Sequence, residues 1–453
     1  MKTIQTVNPY TFKTLASYTT HSSEDLERII QAAQKQYLQW KDISISERAV
    51  FLQNCAEILR NNKNQYAKTI SLEMGKPISQ AEAEVEKCAW VCDYYAENGA
   101  IWLEDEIITT EAAQSYVRYD PIGVILAVMP WNFPFWQVFR FAAPTLLAGN
   151  TVLLKHASNV MGSALLIEEI WKKAGLPTHT FQTLVVGSEA VQEIIAHPDV
   201  AAVTLTGSSQ AGSAVAATAG KYLKKSVLEL GGNNALIVLE NADIETAVEK
   251  CITARFQNTG QSCIAGKRLL LHQKIGAPFL ELLVQKTAAL RSGDPLEATT
   301  YIGVMAREDL AVELEDQVQR SIQMGAQILL GGKRHKTYFE PTIVTGVTPQ
   351  MPLFTEETFG PVLAVTEFNT LQEAVTLSNN SVYGLGVSFF TKNIQPLMPY
   401  ISQMQEGAVF INDLVKSDPR LPFGGIKKSG YGRELGPHGI REFVNVKTIV
   451  IQS

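Results

Sequence analysis

Apolar residues along the chain follow two periods in turn. Over residues 23–100 they recur every three to four positions, as in SSEDLERIIQAAQKQYLQW and SERAVFLQNCAEILRNN, a spacing that predicts long amphipathic helices. Serine ahead of an acidic first turn marks the helix starts, because its hydroxyl can accept from a backbone N–H with no partner inside the helix. From residue 123 the pattern becomes short, continuous apolar runs: GVILAVMP, NTVLLKHA, FQTLVVG, VAAVTLTG and SVLEL. They are separated by helical stretches such as SALLIEEIWKKAG and EAVQEIIAH. Strand, helix, strand at this spacing predicts parallel βαβ units in an open sheet with helices on both faces. A second set follows in the C-terminal half, with RLLLHQ, AQILLGG, AVTEFN, VSFFT and AVFIN. EIITTEAAQSYVRYDP and VNVKTIVIQS have alternating strand character but fit neither sheet, and are assigned to an extension that pairs with another subunit.

Composition narrows the class. A chain of 453 residues is too long for one compact core and should divide into two or three folded units. Its net charge of -6 is spread over interleaved signs, which leaves no basic stripe for nucleic acid and favours small-molecule chemistry. MKTIQTVNPYTFKTL holds no apolar signal core and no later run approaches a membrane span, so a cytoplasmic protein is expected. The five cysteines, Cys55, Cys88, Cys92, Cys251 and Cys263, are odd in number and irregular in spacing, as expected of reduced thiols. Cys88 and Cys92 could share a helix face, but without a nearby histidine pair they are expected to be core thiols, and no metal site is expected.

Three residues carry candidate chemistry. Cys263, in FQNTGQSCIAGKR, has Gly260 and small polar neighbours, unlike a packed core thiol, and is a candidate nucleophile; a lone cysteine is more often structural. Glu229 ends a predicted strand in LELGGNN, just before Gly231 and Gly232. A carboxylate there is either a solvated charge or a general base that activates water against an acyl-cysteine. Asn132, between Trp131 and Phe133 in VMPWNFPFWQVFR, is either a turn former or an oxyanion donor acting with the Cys263 N–H.

Together PWNFP, LELGGNN, GQSC, EETFGPV and PFGGIKKSGYGRE, spread in this order from residue 130 to residue 434, resemble the signature segments of the aldehyde dehydrogenase superfamily. The resemblance implies an α/β fold: a Rossmann-like cofactor domain (1–102 and 122–231), an α/β catalytic domain (232–432) and a β oligomerisation extension (103–121 and 433–453). It implies Cys263 as nucleophile, Glu229 as general base and Asn132 as oxyanion donor. Glu357 and Phe359 would meet the nicotinamide ribose and ring, with Trp131 also on the cofactor. No GxGxxG run follows any strand; in the family the pyrophosphate is received at a segment resembling LTGSSQAG, where Gly207, Ser208 and Gly212 lie between strand and helix. The implied activity is oxidation of an aldehyde to a carboxylic acid through a thioester, by a homodimer or homotetramer. Relatives that pass the acyl group to coenzyme A typically lack the Glu229 carboxylate, so hydrolysis is expected. A thiol hydrolase is the rival from another class, but no histidine adjoins Cys263 and the cofactor segments would then serve nothing. Ala265 stands where some relatives have a second cysteine, so a disulfide switch there is not expected.

Two segments bear on cofactor and substrate. In LLKHAS, NAD-preferring relatives usually have glutamate at the Ser158 position; a small hydroxyl leaves room for a 2′-phosphate and Lys155 adds positive charge, so NADP is expected to be preferred over NAD. Arg140 follows Asn132 by eight residues, a little over two helical turns, among apolar neighbours, and needs an anionic partner. That partner is either an internal carboxylate or a substrate carboxylate. Succinate-semialdehyde dehydrogenases have arginine at the matching position, which favours an aldehyde bearing a carboxylate. Many of them have a second arginine where this chain has Gln257, so further anchoring is expected from Gln257 or Ser417.

Overall fold

The computed structural model describes residues 2–452; Met1 and Ser453, the outermost residues of the expected cofactor domain and extension, lie outside the described residues. The N-terminal helices begin where the serines mark them. Ser22 with Asp25 and Ser44 with Glu47 form reciprocal capping boxes at the starts of the helices Ser23–Trp40 and Ile45–Asn61.

All five strands expected between residues 123 and 231 pair in one sheet, in the order Lys225–Glu229, Val200–Thr206, Val124–Met129, Thr151–His156, Phe181–Thr183, and all run parallel. Burial on both faces explains their continuous apolar runs. In the central strand, Ile125 and Ala127 enter one apolar cluster and Val124 and Leu126 enter another, as a period of two requires. The second sheet has seven strands: Gln327–Leu330, Thr342–Thr345, Val362–Phe368, Gly266–His272, Asn234–Val238, Val387–Phe390 and Val409–Ile411. Of these only Gln327–Leu330 runs antiparallel, on the edge.

Asn234–Val238 lies near the centre of the second sheet although the sequence reading did not single it out, and Thr342–Thr345 was also unforeseen. NALIV follows LELGGNN so closely that the glycine turn masks the strand start. Gly430–Tyr431, within the segment expected to belong to the catalytic unit, instead adds an antiparallel edge to the first sheet, with Gly430 opposite Glu229. Gly430 has φ +109°, and a Cβ there would lie 2.0 Å from the Leu228 carbonyl oxygen, so only glycine fits this approach. The chain therefore returns from the second unit to clamp the strand that ends in Glu229.

The two segments that fitted neither sheet pair with each other. Val444–Ile451 runs antiparallel to Gln114–Pro121, which pairs in turn with Glu106–Ile107. A hairpin of Thr3–Val7 and Thr14–Thr19 lies at the N-terminus. No helix among the described residues is long and apolar enough to cross a membrane.

Candidate active site

A cleft of about 660 Å³ opens where the two sheets face each other. Its walls include the residues just past the carboxyl ends of the first sheet's strands, Trp131 and Asn132 after Val124–Met129 and Gly207 and Ser208 after Val200–Thr206, where open parallel sheets bind ligands. Cys263, Glu357 and Phe359 line it from the other unit. Six of the residues singled out in the sequence thus converge on this cleft together with Cys263.

The Cys263 loop is locally strained. Asn258, Thr259 and Gly260 all have positive φ, at 55°, 53° and 71°, and two of them carry side chains that disfavour this region. Hydrogen bonds hold the turn. Asn258 Nδ2 donates to the Asn132 carbonyl at 2.8 Å and to the Gln261 carbonyl at 3.0 Å, and Gly303 N–H donates to Thr259 Oγ1 at 3.1 Å. Gly260 must be glycine, since a Cβ would lie 2.4 Å from the Gly360 carbonyl oxygen. Asn132 Nδ2 donates to the Gln261 carbonyl at 3.1 Å while its Oδ1 accepts from Gln137 at 3.1 Å. This fixes the amide's orientation and leaves its second N–H open to a ligand oxygen. Burial pushes the Cys263 thiol above the usual cysteine range, opposed by the charges of Arg140 and Lys267.

Glu229, the last residue of its strand, is 2% exposed, and neither carboxylate oxygen has a hydrogen-bond partner among the described residues. Burial first and Glu434 second push its pKa well above the carboxylate range, while Arg140 and Arg433 oppose the shift. A buried carboxyl group left without hydrogen bonds costs folding free energy, and such groups are kept where a site has a use for them. Arg140 is itself buried and ion-paired to Glu434, with Nη2 3.3 Å from Thr206 Oγ1 and its guanidinium 4.7 Å from the centre of the Phe423 ring. An internal carboxylate therefore holds Arg140 in this structure, and its charge acts on both Glu229 and the Cys263 thiol.

The expected cofactor residues divide in two groups. Trp131 and Phe359 meet edge to face at 5.8 Å, and Glu357 accepts from the Gly232 N–H and from Lys267 Nζ, each at 2.9 Å. A Cβ on Gly231 would lie 2.2 Å from Glu357 Oε2, so the paired glycines let this carboxylate reach the cleft. Ser208 caps the helix Ser209–Lys221 and, with Gly207, leads the backbone into its N-terminus; Gly212 packs on Leu230. Lys155 and Ser158 stand apart, at the end of Thr151–His156 and in the turn after it. Burial lowers the Lys155 ammonium, against the charge of Glu189. A buried cation, a small hydroxyl, a helix N-terminus and an aromatic slot fit a phosphorylated dinucleotide. Of the expected anchors, Ser417 is buried, with its Oγ 3.0 Å from Trp136 Nε1 and 2.9 Å from Lys87 Nζ. Gln257 is exposed at the end of the helix Ile244–Phe256.

Three supporting groups escaped the sequence reading. Lys267 is fully buried and donates to the Gly232 and Cys263 carbonyls and to Glu357, joining the Cys263 loop to the cleft. Glu84 Oε1 accepts from the N–H groups of Phe135 and Trp136 at 2.9 and 3.0 Å, so a carboxylate from a neighbouring helix caps the helix that follows Asn132. Glu434 pairs with Arg140. A charge inside an apolar run, as in GKRLLLH, was the available signal for Lys267.

Two mainly parallel sheets, with a cysteine and an amide on a shared cleft and a buried carboxylate at the end of a neighbouring strand, define an aldehyde dehydrogenase architecture. The chain belongs to the aldehyde dehydrogenase family, whose model matches residues 1–449. It is 46% identical over 451 residues, 99% of this chain and 99% of the relative, to a probable succinate-semialdehyde dehydrogenase of the NADP(+) type from Synechocystis sp.. It is 44% identical over 446 residues, 98% of this chain and 96% of the relative, to a succinate semialdehyde dehydrogenase of the NAD(P)+ type from Escherichia coli. The crystal structure of the succinic semialdehyde dehydrogenase from Streptococcus pyogenes in complex with NADP+ is similar at a TM-score of 0.97 and 35% identity, covering 99% of this chain and 100% of the other.

Proposed function

We propose that this enzyme oxidises succinate semialdehyde to succinate with NADP as the preferred acceptor, through a thioester on Cys263. The observation that carries the hydrolytic mechanism is Glu229: buried, without hydrogen bonds, and within electrostatic reach of the Cys263 sulfur. The Cys263 thiolate attacks the aldehyde carbon, forming a C–S bond and an oxyanion that the free N–H of Asn132 and the Cys263 backbone N–H receive. The nicotinamide, when bound, supplies a hydride acceptor, which leaves the acyl group on Cys263 as a thioester. Glu229 then takes a proton from water as the water oxygen adds to the acyl carbon; the C–S bond breaks and the acid leaves. Trp131, Glu357 and Phe359 would hold the nicotinamide end of the cofactor, Gly207 and Ser208 its pyrophosphate, with Gly212 letting that helix approach, and Lys155 and Ser158 a 2′-phosphate.

The semialdehyde reading rests on the Lys87 ammonium beside Ser417, Arg140 being already paired with Glu434, and the full-length relatives of that name support it. Gln257 is assigned to the same substrate side. We further assign the chain to the cytoplasm, keep the division into cofactor domain, catalytic domain and extension, and assign the extension to a homodimer or homotetramer contact. A panel of aldehydes with and without a terminal carboxylate, assayed in parallel with NADP and NAD, tests the whole. Succinate semialdehyde with NADP should give the highest kcat/KM; a neutral aldehyde or NAD in first place would refute the assignment.

A further inference from the structure

We infer that Lys87 is a specificity-determining residue that binds the carboxylate of the substrate, together with the hydroxyl of Ser417. This rests on the semialdehyde reading above and names the group that performs the recognition. Lys87 lies on the helix Ile78–Asn98, half-buried, with Nζ 2.9 Å from Ser417 Oγ and 4.2 Å from the centre of the Trp136 ring. An ammonium has three donors; one reaches Ser417 and one faces the indole, which leaves a third open.

What distinguishes Lys87 from the other cations is charge balance. Every carboxylate that acts on it is already committed. Glu84 is ion-paired to Lys76 and caps the Phe135 and Trp136 N–H groups, and Asp418 forms a two-point pair with Arg420 at 2.8 and 2.7 Å. Arg140, the cation expected to clamp a substrate, is neutralised by Glu434. Lys87 is thus left without an anionic partner among the described residues, while Arg140 adds like charge and burial lowers its pKa to about 8. A desolvated cation beside a hydroxyl, with no internal counter-ion, is complementary to an incoming carboxylate.

The placement matches the reaction. Asn132 lies in the turn that leads into the helix Trp136–Leu147, and Trp136, its first residue, and Arg140, one turn on, share one face of that helix. Trp136 donates its Nε1–H to Ser417 Oγ at 3.0 Å, so Ser417 and Lys87 adjoin the start of the helix that the Asn132 turn leads into. Arg140, on the same helix as Trp136, exerts its charge on both the Cys263 thiol and Lys87. An aldehyde with its carbonyl at Cys263 would present a carboxylate on a short chain to Lys87 and Ser417.

The test compares succinate semialdehyde with butyraldehyde, which lacks the acid. Lys87→Met should lower the ratio of kcat/KM values for the two by roughly ten- to a hundredfold, chiefly through KM, and Lys87→Arg should restore most of it. In the wild-type enzyme, only the cationic form of Lys87 binds the anion. The KM for the semialdehyde should therefore rise relative to that for butyraldehyde as pH passes about 8. The groups facing Lys87 are Glu84 and Cys88 on its own helix, Arg140 on the next, and Asp418 on the loop that carries Ser417. A folded Lys87→Met enzyme with an unchanged ratio overturns the proposal even if the wild type prefers the semialdehyde. Should that variant not fold, a wild-type ratio that stays flat as pH crosses about 8 overturns it. A wild type with no preference for the acid removes both this proposal and the semialdehyde reading.

Discussion

At the scale of single residues, the groups we propose as reactive stood out in the sequence and the residues that support them did not. Cys263, Glu229 and Asn132 stand out because a thiol among small polar residues, a carboxylate at a strand end and an amide between aromatics are each unusual in place. Lys267, Glu434 and Lys87 are charges whose importance comes from being buried, and burial is decided by neighbours far along the chain. Glu229→Gln should preserve the burst of reduced cofactor and lower steady turnover by about 10²–10⁴-fold, because acylation precedes the water attack that the carboxylate assists. Stopped-flow absorbance separates the two phases, and a variant that turns over normally assigns the base elsewhere. The sign of the pH dependence follows from the raised Cys263 and Glu229 pKa values: in the proposed mechanism each acts deprotonated, so burst and steady rates should both climb as pH rises. At the adenosine end, Ser158→Glu should reverse the cofactor preference, since a carboxylate can grip ribose hydroxyls but repels a 2′-phosphate. Parallel KM values for NADP and NAD measure this, and an unmoved ratio would leave Ser158 as a turn residue.

At the scale of elements, the periodic segments were read correctly and the short or interrupted ones were lost. Runs such as GVILAVMP are continuous because Ile125 and Leu126 enter cores on opposite faces, which is the signal of a doubly covered strand. Gly430–Tyr431 has two residues and owes its strand character to a return across the molecule, so no local pattern announces it. The helix after Asn132 has a similar hidden dependence: Glu84 caps it from another element while pairing with buried Lys76. Glu84→Gln keeps an acceptor for the Phe135 and Trp136 N–H groups but strands the ammonium, so a stability loss of about 3–5 kcal/mol is expected. Because the capped turn carries Asn132, kcat should fall as well, by up to about a hundredfold if the amide shifts by about 1 Å. Denaturant unfolding and kcat for butyraldehyde read the two effects; a variant as stable as the parent would leave the pair without structural weight.

At the scale of the whole molecule, the sequence divides the chain into two α/β units and a remainder, and the structure turns that remainder into a sheet of its own. EIITTEAAQSYVRYDP and VNVKTIVIQS are each too polar on one face to be core strands, which is why neither fitted the main sheets; their pairing joins residues about as far apart in the chain as Pro121 and Val444. The product has an open edge. Val444–Ile451 is the outermost strand of its sheet, and Val446, Val450 and Ile451 on it are 61%, 54% and 45% exposed, with Ile107 at 69% on the opposite margin. A strand of eight residues with unpaired N–H and C=O groups and exposed branched apolar side chains invites aggregation unless another chain covers it. Aggregation-resistant edges use proline, bulges or inward charges; here Lys447 is the strand's one charged residue, and it is already paired with Asp120 within the sheet. We propose that a second copy of the chain covers it, because closed symmetry would let each subunit protect the other. The double substitution Val446→Lys, Val450→Lys places like charges along this edge and should shift the enzyme towards monomer in light scattering while its cofactor cleft, built from other elements, remains formed. A wild-type protein that is already monomeric at micromolar concentration, or a variant whose assembly is unchanged, would show that the extension is not the contact.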